Sequence, residues 1–228
     1  MATLALLEEL GVTVVYPTAQ TCCGQPLINT GCTYNLAKAA AHFVDTFCAF
    51  DYIVSPSASC AAAVRHHYHK YVPTNTASEH VINHTFELCE FLTDVLKIES
   101  LNARFPHKVG LHHGCHGLRE FNLASCSERN EAAYSKPVQL LNMVKDLELV
   151  KLNRADECCG FGGTFAVDQE SVSCAMGRSR VHDHVSNGAT VIISTDTSCL
   201  MHLEGIMGKQ KESIATMHIA QVLRGESL

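Results

Sequence analysis

The sequence predicts an α/β fold made of two tandem repeats with mainly parallel sheets, the first repeat lacking its initial strand. Three observations carry this. Short β-branched runs alternate with longer amphipathic runs, the pattern of layered strands and helices. The 228 residues are 46% hydrophobic and 18% charged, enough apolar content for a sizeable core and unlike a disordered chain. The order helix, strand, loop, Cys-Cys-Gly occurs twice, ending at Cys22-Cys23-Gly24 and at Cys158-Cys159-Gly160.

The elements follow in order. Residues 3–10 read as a helix and 12–16 as a strand. Helices are expected over 34–50, 60–71 and 81–97, with a strand over 52–55. Within 81–97, Leu88, Phe91, Leu92 and Val95 recur at i, i+3, i+4 and i+7, one buried helical face. The stretch 99–107 is polar, contains Pro106 and reads as a linker between a first repeat at 1–98 and a second at 108–228. The second repeat offers strands over 108–112, 147–152 and 190–194. Its helices are expected over 136–145, 163–186, 200–207 and 217–223. Gly188 follows a long helical run and precedes a strand, as a C-terminal cap should.

The internal match extends downstream. Each half continues through a helix and a strand to a Ser-Cys pair, Ser59-Cys60 and Ser198-Cys199. The later cysteine lies 37 residues after Cys23 and 40 after Cys159. The second half has one more member, Cys115, after the strand at 108–112 and 43 residues before Cys158. The matching position in the first half falls before Met1. The first repeat is therefore expected to be N-terminally incomplete.

Composition narrows the function. The formal net charge is −6 with no long basic run, which disfavours nucleic-acid or anionic-membrane binding. The N-terminus has no positive region, and Glu8 and Glu9 interrupt its apolar run, so it does not read as a secretory signal. No stretch approaches the roughly 18 uncharged apolar residues of a membrane span. A cytoplasmic location is expected. In a reducing compartment the 12 cysteines point to metal or cluster binding, catalysis or burial rather than to disulfides.

The repeat cysteines all fall in loops after strands. In a parallel sheet the carboxyl ends of the strands open into one crevice, so Cys115, Cys158, Cys159 and Cys199 can converge there. Four thiolates suit an iron–sulfur cluster or a zinc ion. Cys22, Cys23 and Cys60 form a shorter set of the same kind. Gly160 permits a sharp turn, and Gly162 and Gly163 permit close backbone approach to an inorganic group. Zinc sites usually carry C-x2-4-C knuckles, which are absent here, and this moves the weight toward an iron–sulfur cluster. Gly160-Phe161-Gly162-Gly163 lacks both the dinucleotide pattern and a phosphate-loop lysine. No single cysteine stands out as an activated nucleophile.

The bland readings apply to the rest. Cys48 and Cys89 fall in apolar helical stretches and read as buried thiols. Cys32 is at most a spare ligand. His66, His67 and His69 read as a solvated face. His112, His113 and His116 flank Cys115, and one of them is expected to tune it by a hydrogen bond to sulfur. His202 reads equally as a ligand or as an exposed helical residue.

These motifs resemble the cysteine-rich CCG-domain family of iron–sulfur proteins, found in heterodisulfide reductases and in the iron–sulfur component of glycolate oxidase. The similarity is greatest to the lactate-utilisation branch. It is carried by Thr21-Cys-Cys-Gly-Gln-Pro26, Pro56-Ser-Ala-Ser-Cys60, Gly117-Leu-Arg-Glu120, Cys115, Glu157 through Val167, and Cys199 through Gly205. The resemblance implies two tandem Rossmann-like CCG repeats. It implies an iron–sulfur cluster, of the 4Fe-4S kind, on Cys115, Cys158, Cys159 and Cys199, with Cys22, Cys23 and Cys60 as an incomplete first set. It implies electron transfer within a bacterial complex that oxidises L-lactate to pyruvate, as a subunit rather than a stand-alone oxidoreductase. The implied partners are other lactate-utilisation subunits, one of them with ferredoxin-type clusters. Two alternatives stay open: a zinc-stabilised structural or assembly subunit, and a thiol–disulfide oxidoreductase like heterodisulfide reductase.

Overall fold

The computed structural model describes residues 1–210, 212 and 214–228. Helix α1 (Ala2–Glu9) leads through an irregular segment to α2 (Gln25–Asn29) and α3 (Leu36–Phe47). Strand β1 (Ile53–Ser55), α4 (Ala58–Ala62), α5 (Thr76–Asn83), β2 (Thr85–Glu87) and α6 (Leu88–Glu90) complete the first half. The second half runs β3 (Lys108–His112), α7 (Cys115–Arg119), α8 (Lys136–Leu141), β4 (Glu148–Leu149), α9 (Phe165–Asp168), α10 (Glu170–Ser186), β5 (Val191–Ser194), α11 (Thr197–Gln210), β6 (Ala215–His218) and α12 (Ile219–Leu223).

Both sheets are parallel. In the first, β1 pairs with β2, Ile53 opposite Thr85 and Ser55 opposite Glu87. The second has the order β4-β3-β5-β6, with Val109 opposite Val191 and Val191 opposite Ala215. The expected mixed α/β class with mainly parallel sheets is the one observed.

Side chains alternate across β5, as the strand period requires. Val191 and Ile193 face the main core with Val109, Leu111, Leu140, Leu141 and Leu223. Ile192 faces the opposite layer of Val181, Leu200, Leu203 and Met207 from α10 and α11. The main core also takes Leu6 and Leu7 of α1 and Leu88 and Leu92 of the first half. A separate cluster of Leu36, Val44, Phe47, Val64 and Tyr68 fills the first half. The stretch expected as a linker lies along the second sheet. Ala103 and Phe105 are buried, and their backbone groups bond Lys145.

Several element assignments differ from the sequence expectation. Residues 12–16 form no strand: they leave α1 through Gly11, pair with no strand among the described residues, and expose Val15 and Tyr16. The helix expected over 81–97 is broken by β2, because the backbone of Ile53 donates to the His84 carbonyl (2.8 Å) and starts the pairing of 85–87 with β1. Its apolar face survives in α6 and the π-helical turn Phe91–Val95. The strand expected over 147–152 shrinks to Glu148–Leu149, and the helix over 217–223 begins as the edge strand β6. Short helices α2 and α7 were not expected. Gly188 caps the run after α10 with φ +81°. Among the described residues no helix is long and apolar enough to cross a membrane.

Candidate metal centre

Adjacent strands β4, β3 and β5 end at one edge of the second sheet, and the cysteines lie just beyond those ends. Cys115 opens α7 after β3, Cys158 and Cys159 lie in the loop after β4, and Cys199 sits in the first turn of α11 after β5. The four thiols adjoin and influence one another in series: Cys115 with Cys158, Cys158 with Cys159, and Cys159 with Cys199. Donation from Cys115 and Cys159 holds the Cys158 thiol far below its usual range, and the Gly160 backbone N–H, 3.3 Å from its sulfur, adds to this. The two donor thiols are pushed up in turn. The arrangement therefore places one thiolate among protonated neighbours. A soft metal centre would take up that charge and displace the remaining protons.

A ring nitrogen of His112 and the sulfurs of Cys159 and Cys199 lie within 4.8 Å of one another, all three residues buried. His112 is at the end of β3. Burial, the Arg180 guanidinium and His184 hold its imidazole well below the usual range. His113 is likewise lowered to about 4 by burial. His116 packs beside Cys115, with Nδ1 3.8 Å from its sulfur. His202 lies one turn beyond Cys199, near Ser173 and the Phe161 ring.

The first half repeats the loop geometry. Gly24 N–H points to the Cys22 sulfur (3.5 Å) as Gly160 N–H does to that of Cys158. Both glycines adopt the left-handed conformation, φ +82° and +87°, which favours glycine. A Cβ on Gly160 would also stand 2.7 Å from the Met176 Cβ and 2.8 Å from the Ser173 carbonyl oxygen. Cys23 hydrogen-bonds Cys60, which sits in α4 just after β1. That bond, with those of Ser57 and Ser59, lowers the Cys60 thiol to about 7. Tyr68 fixes the loop by donating its hydroxyl to the Cys23 carbonyl, 2.8 Å.

The two sets adjoin. Helix α4, which carries Cys60, packs on the α7 region through Ala58, Ala61, Ala62, Phe121 and Leu123. Buried Asp196 accepts the hydroxyl hydrogens of Ser57 (2.6 Å) and Ser59 (3.1 Å) and the N–H of Ser59 (3.3 Å). Gln25, next to Gly24, reaches His116 beside Cys115 (3.1 Å). Gly163 faces Asn29 of α2, while Gly162 packs on Phe165 in its own loop.

Sequence reasoning missed Asp196, Gln25 and Arg180. A signal for Asp196 existed: Ser55-Pro-Ser57-Ala-Ser-Cys60 and Ser194-Thr-Asp196-Thr-Ser-Cys199 align, and a carboxylate replaces a serine three residues before the cysteine. Cys89 is buried as expected. Cys48 is exposed, because it follows the last turn of α3 on the outer side. Cys32 is also exposed and lies outside both sets. His66 and His69 are exposed and His67 half-buried, as a solvated face would have them.

A family model described as a cysteine-rich domain, CCG, matches residues 1–65 and 109–204. Lactate utilization protein A of Exiguobacterium sp. is 41% identical over 228 residues, covering 97% of this chain and 89% of that protein. The proteins of the same name from Bacillus licheniformis and Bacillus subtilis (strain 168) are 37% and 35% identical over 225 residues. Each covers 97% of this chain and 90% of its own length.

Proposed function

Because the chain belongs to the cysteine-rich CCG-domain family, with relatives named for lactate utilization, we propose that it carries an iron–sulfur cluster on Cys115, Cys158, Cys159 and Cys199. On this reading it serves as an electron-transfer subunit in L-lactate oxidation to pyruvate. The observation that carries the proposal is the four-thiol series drawn from three loops at one sheet edge. The residues fit such a group: the donor set is all sulfur, a backbone N–H already points to one sulfur, and glycines at 160, 162 and 163 line the same loop. A bound cluster would supply a one-electron carrier whose potential answers to burial and to hydrogen bonds on sulfur. The chain itself supplies that burial, with Cys159 and Cys199 nearly closed to solvent.

The two family matches fall on either side of 99–107 and support repeats at 1–98 and 108–228. The first set, Cys22, Cys23 and Cys60, supplies three thiols beside the second. The partners on this reading are further lactate-utilisation subunits, one with ferredoxin-type clusters, in the cytoplasm. Anaerobic reconstitution with iron and sulfide, followed by iron and labile-sulfide assay and EPR, tests the proposal. Iron and sulfide are expected in the wild type and to be largely lost in Cys158→Ser. No iron uptake, or unchanged iron in the variant, refutes it.

A second reading, a zinc-stabilised structural subunit, would draw on the same buried thiols, Cys159 and Cys199. Stoichiometric zinc without labile sulfide after anaerobic isolation would select it.

A further inference from the structure

Arg180 is fully buried in α10, an unusual place for a guanidinium. Its Nη1 donates to Asp183 (3.1 Å) and to the Arg154 carbonyl. Asp183 is held in turn by the backbone N–H groups of Asn153 (3.1 Å) and Arg154 (3.2 Å). The guanidinium is thereby fixed at several points. Its remaining edge places Nε 3.2 Å from Nδ1 of His112.

Arginine has donors and no acceptor. A hydrogen bond from Arg180 Nε to His112 Nδ1 requires that Nδ1 be the bare nitrogen. The ring hydrogen must then sit on Nε2. Nε2 is itself buried and has no hydrogen-bond partner among the described residues, and one nitrogen of the ring lies within 4.8 Å of the sulfurs of Cys159 and Cys199. A histidine that ligates a metal works the other way round: the ligating nitrogen is bare, and the second nitrogen donates to a carboxylate or carbonyl. If Nε2 bound a metal, Nδ1–H would confront the Arg180 N–H, donor against donor. The two requirements exclude each other.

We propose that His112 is a hydrogen-bond donor to sulfur at the Cys159–Cys199 side of the centre, not a metal ligand, and that Arg180 is the positioning residue that locks its tautomer. This rests on the cluster reading only for what the donor acts upon; the tautomer is a property of the protein alone. An N–H held at sulfur favours the more negative state of a cluster and so raises its potential.

Nitrogen-15 NMR of the imidazoles in metal-free protein reads the tautomer directly. Hydrogen on His112 Nε2 and a bare Nδ1 are expected, and Arg180→Met, checked for folding by its amide spectrum, is expected to populate both tautomers. Hydrogen on Nδ1 in the wild type overturns the proposal. Co2+ added alone to the metal-free protein tests ligation. The ligand-field bands of the visible spectrum, which report the donor set, are expected to be the same in His112→Leu as in the wild type, whereas affinity falls for an outer-shell partner as well and does not discriminate. Bands shifted by the loss of a nitrogen donor overturn it. In reconstituted protein, His112→Leu is expected to lower the midpoint potential and His112→Gln, which keeps an N–H, to recover part of the shift. An unchanged potential in His112→Leu overturns the action on sulfur. Failure to take up iron at all counts against the cluster reading and leaves the tautomer result standing.

Discussion

Glu87→Gln should make the protein more stable at neutral and alkaline pH, and by an amount that grows with pH. Glu87 ends β2 and is fully buried. Its Oε2 accepts the backbone N–H of Cys89 (2.6 Å) and Glu90 (3.2 Å), while Oε1 has no partner among the described residues. Burial pushes the carboxyl up from 4.5 to about 8; the carboxylates of Asp196 and Glu90 add to this, and the two backbone donors oppose it. In the folded protein the group keeps its proton through a range in which the unfolded chain has released it. The protonated group therefore contributes its full stability below pH 4.5, and that contribution is lost as pH rises to about 8. At about 1.4 kcal/mol per pH unit, the loss over that interval reaches roughly 5 kcal/mol as an upper figure. Glutamine keeps the acceptor and does not ionise. Urea unfolding of both proteins, metal-free and at matched pH between about 5 and 8.5, should show the variant's advantage climbing and then levelling off. Taking the difference at each pH cancels His112, His113 and His184, whose lowered values act with the opposite sign in both proteins. A constant loss of stability across the range, the result for an ionised Glu87 held at the α6 N-terminus, would refute the reasoning.

Gly160→Ala should cost about 1–2 kcal/mol from left-handed strain alone. Contact with the Ser173 carbonyl adds to this, and thermal unfolding should show a clear drop with loss of metal uptake. Asp196→Ala leaves the hydroxyls of Ser57 and Ser59 without their acceptor and should lose about 3 kcal/mol in denaturant titration. Ser57→Ala should lose less, since the carboxylate keeps Ser59. Arg65 stands over the Phe121 ring (4.8 Å) and bonds both oxygens of Glu90 (2.7 and 2.9 Å). Arg65→Met should cost about 2 kcal/mol, and adding Glu90→Gln should restore part of it by removing the stranded charge.

The Cys-Cys-Gly repeat made the site legible because its meaning is local: a turn that needs glycine, followed 37 or 40 residues later by a helix with a cysteine in its first turn. Parallel strands were legible at 108–112 and 190–194, where short apolar runs, β-branched in the second, are bounded by polar residues. The segment 85–87 was hidden because Val81 and Leu88 through Val95 carry a helical period on both sides, and only the partner strand β1 distinguishes it. Arg180 was hidden for a similar reason. Nothing in α10's sequence marks it as buried, since its environment is assembled from β3, the loop before Cys158 and Asp183. Interactions between distant segments leave no mark on local periodicity.

The contact between Ser57 and Asp196 joins corresponding positions of the two repeats, each three residues ahead of its cysteine. In an assembly of two identical copies meeting the same way, the position would oppose itself. It would be hydroxyl against hydroxyl, or carboxylate against carboxylate with its repulsion. A serine giving its hydrogen to a carboxylate at 2.6 Å is open only to partners that differ. Fusion of the repeats into one chain thus frees the two sides to diverge, and it sets the negative charge of Asp196 beside Cys60 and Cys115 together. That one substitution breaks the equivalence of the two cysteine sets: a single carboxylate, supplied by the second repeat, is felt by a thiol of each.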